Sequence, residues 1–226
     1  MIQEDVMPDD VRMPQDIQMP DGNLFMVCER VERGAFGALP RGVELRCCRH
    51  DELDLWKAMH FDLPETAREF KPYMDEYFER VYAPHGELFF ERCRFACVDG
   101  APVGTCFVWK AYGRVNTVHW FKVLRAYEGR GIGRALLTDV LSALGPDDMP
   151  VCLHTQPSSY RAIKLYTDFG FKFITDPAVG ARVNDLERAL PALKQVMPTQ
   201  AYAALGFARA PKALLDAAAG EQFSEF

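Results

Sequence analysis

The sequence predicts an α/β (α+β) domain in which an antiparallel meander of strands feeds a parallel strand pair. Two observations carry this expectation. Asp99-Gly100 and Tyr112-Gly113-Arg114 are turn signals that join three strand-like segments in series. Beyond them helix-like and strand-like segments alternate, the pattern of a crossover between parallel strands.

The elements follow in order. Residues 7–22 repeat Met-Pro at Met7, Met13 and Met19 with acids between, so residues 1–22 read as an acidic, weakly ordered arm. Val6, Val11 and Ile17 leave a docked path along the domain open. Val43–Arg49 reads as a strand, Asp51–Met59 as a short helix, and Pro64–Val81 as a polar, aromatic-rich helix. Arg92–Val98, Pro102–Ala111 and Asn116–Val123 form the meander. Ile132, Leu136, Val140 and Leu144 recur at helical spacing, and Gly145-Pro146 stops that helix. Val151–Thr155 reads as a buried strand, Ser159–Phe169 as a helix stopped by Gly170, and Phe171–Thr175 as a strand. Asn184–Gln195 is the clearest helix of the remainder. The domain is thus expected over 23–180, with a helical extension over 181–226.

Composition narrows the function. The 226 residues carry a net charge of −6, which speaks against general binding of nucleic acid. Residues 1–22 hold six acids and one arginine, whereas Lys122–Arg134 hold four bases and one acid. No apolar run approaches the ~20 residues of a membrane span. The acidic N-terminus has neither the basic start nor the apolar stretch of a secretory signal. Seven cysteines without a CxxC pair read as reduced, mostly buried thiols of a cytoplasmic protein, and no Cys/His cluster suggests a metal.

The basic patch contains YEGRGIGRALL, Tyr127–Leu137. A Walker loop would need a lysine after its last glycine, and the dinucleotide fingerprint would need glycine where Arg134 or Leu136 stands. What remains is a strand, then Glu128-Gly129-Arg130-Gly131-Ile132-Gly133, then an amphipathic helix. Amides at a helix start favour an anion, and Arg130 and Arg134 add charge. This stretch alone fits a phosphate cradle and a close-packing turn equally well.

SSYRAIKLYTDFGF, Ser158–Phe171, resolves the choice when taken together with the glycine stretch. The ordered pair resembles the GNAT N-acetyltransferase superfamily over roughly residues 43–175. Gly131 and Gly133 match the pyrophosphate loop of that family, where Glu128 replaces the usual Gln or Arg. Ala162, Leu165, Tyr166, Gly170 and Phe171 match the second motif, where Ser159 replaces Asn. The stretches VHWFKV and CLHTQPSSY resemble an uncharacterised bacterial branch of the family.

The resemblance implies a GNAT-type mixed, mainly antiparallel sheet whose parallel pair splays around acetyl-coenzyme A, with no metal. The amides of Gly129, Arg130, Gly131, Ile132, Gly133 and Arg134 would then take the pyrophosphate, with Glu128 turned away toward Arg125 or Arg130. The main chain of Phe121 and Val123 would pair with pantetheine, and Ser159 and Ala162 would complete the cofactor side. Tyr166 would protonate the leaving thiolate; its plain reading is a core tyrosine on an apolar helix face.

Strand parity gives Thr117, His119 and Phe121 one face, a parity that a bulge in this strand would upset. His119 is the one good neutral-pH proton acceptor on that strand, or else a structural histidine. Thr117, with His154 and Gln156 at the end of the other splayed strand, would face the acceptor substrate, and His154 and Gln156 are second choices for the base.

Between Phe61 and Gly86 six acids outnumber three Lys or Arg, and six aromatics are interspersed. Such a segment suits a small-molecule or peptide amine, or is an ordinary mixed-charge helix surface. The helical extension could cap this pocket or join two copies of the chain as a homodimer. The reading is N-acetyl transfer by direct attack of a primary amine. A coenzyme A-binding module without transfer and an unrelated nucleotide-binding regulator are the other classes.

Overall fold

The computed structural model describes residues 18–221 and 223–226. Eight strands form one sheet in the order β10-β7-β1-β6-β5-β4-β3-β2. They are β1 (Leu24–Cys28), β2 (Val43–Cys47), β3 (Arg94–Val98), β4 (Ala101–Ala111), β5 (Val115–Val123), β6 (Val151–Thr155), β7 (Lys172–Ile174) and β10 (Phe207–Ala208). A hairpin of β8 (Ala178–Val179) and β9 (Arg182–Val183) stands apart. The helices are α1 (Leu53–Ala58), α2 (Pro64–Val81), α3 (Leu88–Arg92), α4 (Ile132–Ser142), α5 (Tyr160–Asp168), α6 (Leu186–Val196), α7 (Thr199–Ala203) and α8 (Lys212–Ala218). None of the described helices is long and apolar enough to cross a membrane.

The expected meander is present. β2–β3–β4–β5 pair antiparallel in sequence, and Asp99-Gly100 turns with both residues at positive φ. The expected parallel pair is β5 with β6. The sequence reading assigned no strand to Leu24–Cys28, yet β1 lies deep in the sheet, antiparallel to both β6 and β7. All five of its residues are buried because both of its faces are covered, so it carries no polar alternation. The expected helical remainder also contributes strand β10, which pairs parallel to β7. The Met-Pro arm lies mostly outside the described residues; at its end Met19 packs on the core and Arg188 donates to the Asp21 carbonyl.

Three apolar clusters fill the layers. On one face α4, α5 and α6 pack over Met26, Cys106 and Val118 through Leu136, Ile163 and Leu193. On the other, α1, α2 and α3 cover the β3–β4 half, and α8 covers Phe25 and Val27 of β1. In α2 the buried residues Met74, Tyr77, Phe78 and Val81 recur at i, i+3, i+4 and i+7, as an amphipathic helix requires. The seven cysteines are free thiols, and six are buried.

Trp56 centres the α1–α3 cluster. It is fully buried, with ring centroids 4.9 Å from Phe89 and 5.9 Å from both Tyr82 and Trp120. Trp56→Ala should therefore cost about 3–5 kcal/mol in urea unfolding, the usual loss for a buried aromatic. A loss below about 1 kcal/mol would show that this wall is loosely packed.

Candidate active site

The site begins where β5 and β6 part. Their parallel ladder holds Asn116 to Val151, Thr117 to Cys152 and Val118 to Leu153, then stops. One residue later β5 bulges: Trp120 and Phe121 together face Cys106 of β4, and Trp120 takes φ 49°. A left-handed tryptophan is strained and needs surroundings that hold it. Here its indole Nε1–H donates to the Tyr82 hydroxyl at 3.0 Å, and its ring meets Tyr77 edge-on at 5.2 Å.

The bulge corrects the parity expected from the sequence. His119 turns to Tyr82 and Phe107 on the α1–α3 face, while Phe121 turns to the α4–α5 face, 5.7 Å from the Tyr166 ring. Thr117 does not reach the site. It is fully buried, and its hydroxyl donates to the Trp109 carbonyl.

Two cavities open on the parting. The larger, about 650 Å³, is lined by Val123, Glu128, Gly129, Gly131, Ile132, Gly133 and the start of α5. The smaller, about 390 Å³, is lined by His60, His119, His154, Gln156, Tyr166 and Arg182, among others. Phe121, Lys122, Ser159 and Ala162 line both, so the two meet between the strands.

The glycine loop shapes the larger cavity. Gly131 caps α4 with φ 79°, a left-handed conformation that suits glycine and leaves the first helical amides open. A Cβ on Gly133 would meet Phe121 at 2.9 Å, so its glycine lets helix and strand approach. Glu128 does turn away from the loop, but toward Arg161 (2.8 Å) rather than Arg125 or Arg130. Arg130 lies over the Tyr127 ring. Arg134 binds the Ala35 carbonyl and Asp168, so its charge is already matched. The anion donors left in the loop are chiefly backbone amides.

Tyr166 is buried, and burial holds its phenol well above the ordinary range, protonated at every physiological pH. His119 is held differently from expectation. The Tyr82 hydroxyl, which accepts from Trp120, lies 2.6 Å from His119 Nδ1, and among the described residues His119 Nε2 is buried without a partner. Burial also lowers the His119 pKa to about 3, which removes the neutral-pH titration expected of it.

His154 has the opposite arrangement of open atoms. Asn23 Nδ2 donates to the Val183 carbonyl, which aims Oδ1 at His154 Nε2, 2.9 Å away. Nε2 therefore carries the proton and Nδ1 keeps its lone pair. Burial, then Arg182, lowers His154 to about 3, and burial, then Lys122, does the same to His60.

The acidic lining expected of the α2 segment is not what the smaller cavity shows. No Asp or Glu lines it among the described residues. Asp75 binds Lys57 and Lys71, Glu76 binds Arg80, and Asp62 binds Lys122. The aromatics Phe61, Tyr73 and Tyr77 do line the cavity. Sequence reasoning missed Arg182, which stands in an unpatterned stretch and reaches the cavity only through the β8–β9 hairpin. No group of three or more metal-capable side chains is gathered among the described residues.

A family model, the acetyltransferase (GNAT) family, matches residues 53–171, just over half of the 226-residue chain. The chain belongs to that family. The GNAT match contains β5, the glycine loop, β6 and α5, the elements that frame both cavities. No curated protein matches the chain. Among solved structures, Arabidopsis thaliana Naa50 in complex with a bisubstrate analogue is 28% identical, with a TM-score of 0.45 over 63% of this chain and 91% of that one. A GCN5-related N-acetyltransferase from Sphaerobacter thermophilus is 20% identical, with a TM-score of 0.42 over 64% and 48%. A tandem GNAT protein from the clavulanic acid biosynthesis pathway is 16% identical, with a TM-score of 0.49 over 68% and 50%. The chain spans about a third to a half of the length of the first solved structures it resembles.

The histidines of this GNAT site make a thermodynamic prediction. Their unfolded pKa is about 6.5, above the folded value of about 3. Below pH ~6.5 the unfolded chain binds protons that the folded chain refuses, so stability is full above that pH and is lost as pH falls toward 3. Between pH 6.5 and 5.5 each such histidine should approach a slope of about 1.4 kcal/mol per pH unit. Urea unfolding across this range should show the decline, flattened in His119→Gln. A flat profile would contradict the buried, neutral assignment.

Proposed function

We propose that the protein moves an acetyl group from acetyl-coenzyme A to a primary amine by direct attack. The observation that supports this most is the meeting of the two cavities at Phe121, Lys122, Ser159 and Ala162, beside Tyr166. The larger cavity takes the coenzyme, with its pyrophosphate on the amides of Gly129–Arg134 at the start of α4. The β5 edge from His119 to Val123, past the end of its ladder with β6, offers main-chain groups to pantetheine in the manner of an added strand. The smaller cavity takes the acceptor.

The amine nitrogen attacks the thioester carbonyl; a C–N bond forms and the C–S bond breaks. Tyr166 gives its proton to the departing thiolate, as its buried, protonated phenol suits. The nitrogen loses a proton, and His154 Nδ1 is the open acceptor beside it. His119, its Nδ1 held at Tyr82, forms part of the wall beside it. The proton taken by His154 passes to solvent through the cavity mouth and restores Tyr166 over the cycle. The pairing of Glu128 with Arg161 offsets the repulsion that a lone carboxylate would exert on the pyrophosphate.

We further propose that the acetyltransferase domain spans 23–180 and that residues 181–226 form an extension packed on it. That extension closes the acceptor side through Arg182, Ser224 and Phe226.

Tyr166→Phe keeps the ring and removes the proton. Turnover should fall by roughly 10²–10⁴-fold. Acetyl-coenzyme A at about 100 times its dissociation constant should still stabilise this variant, as it does the wild type, by ~2.7 kcal/mol. Undiminished turnover would remove Tyr166 from the mechanism. Equal stabilisation by ATP would remove coenzyme A from the loop.

A further inference from the structure

We propose that the amine acceptor carries a carboxylate, and that Arg182 is the residue that selects it. This deepens the transfer reading above and rests on it. Arg182 of β9 lines the acceptor cavity together with Tyr166 and His154. Among the described residues no acidic side chain forms an ion pair with it. Its neighbours are aromatic: the guanidinium carbon lies 4.9 Å from the Phe25 ring centre and 5.2 Å from that of Phe226. Burial lowers its pKa, the mark of a cation partly stripped of water. Lys122, the other Lys or Arg of the described lining, is matched by Asp62 at 2.6 Å.

A desolvated guanidinium without a counter-ion is costly, because water is lost and nothing replaces it. A ligand anion supplies the missing partner. The absence of Asp and Glu from the described lining points the same way, since a wholly cationic acceptor would meet Arg182 uncompensated. The chemistry of the anion follows from the setting. A planar carboxylate matches two parallel N–H donors of one guanidinium. A phosphate dianion calls for more donors than a single arginine set against two rings can offer. Phe61, Tyr73 and Tyr77 would hold the body of such an amino acid or carboxylated amine.

The test uses the whole chain, acetyl-coenzyme A, and matched amines. Amino acids are compared with their decarboxylated amines, with phosphoethanolamine as a third arm. The wild type should favour the carboxylated member by about 10-fold or more in kcat/KM, the worth of a hydrogen-bonded charge. In Arg182→Gln that ratio should fall toward one, chiefly through KM on the carboxylated member, and Arg182→Lys should retain part of it. The coenzyme A-induced rise in melting temperature confirms that each variant is folded. Equal use of both members by the wild type, a ratio that survives in Arg182→Gln, or preference for phosphoethanolamine would overturn the proposal while leaving amine transfer standing. Transfer to no amine at all would overturn both.

Discussion

The site depends on one constraint: β5 cannot continue its ladder with β6 beyond Val118 and Leu153. The bulge at Trp120 and Phe121 inserts an extra residue against β4 and re-aims the strand. It sends His119 and Phe121 to opposite faces and opens the gap in which the two cavities join. The left-handed Trp120 is kept in place by the Tyr82 hydroxyl and by edge contacts to Trp56 and Tyr77. The α1–α3 cluster is thus more than a cover for the sheet. It is the clamp that keeps the strands apart.

Burial then sets the chemistry. Three histidines line a cavity that also holds Lys122 and Arg182, and burial drives each histidine neutral. Hydrogen bonding differentiates two of them. His119 is held through Nδ1 by Tyr82, whereas His154 gives its Nε2 proton to Asn23. Two similar side chains therefore offer opposite functional atoms to one space. Tyr166, raised by the same burial, keeps its proton at every physiological pH.

Local pattern made much of this legible. Pro64–Val81 and Val151–Thr155 fall where periodicity and apolar run length place them, and the Asp99-Gly100 turn fixes the meander. The glycine loop and the Ala162–Tyr166 stretch were legible because each is contiguous in sequence. What depended on distant partners was not legible. β1 lacks alternation because it is covered on both faces, and the bulge that corrected the strand parity is stabilised from α1 and α2. The partners of Glu128, His119 and His154 and the arrival of Arg182 all come from contacts across the fold. The acids of α2 bind lysines and arginines outside the cavity, as an ordinary mixed-charge helix surface does.

The most direct test of the account is a crystal structure with coenzyme A bound. The account predicts pyrophosphate on the amides of Gly129–Arg134, pantetheine along Phe121–Val123, and the sulfur within about 3–3.5 Å of the Tyr166 hydroxyl. Coenzyme A bound outside the gap between β5 and β6, or a sulfur remote from Tyr166, would contradict it.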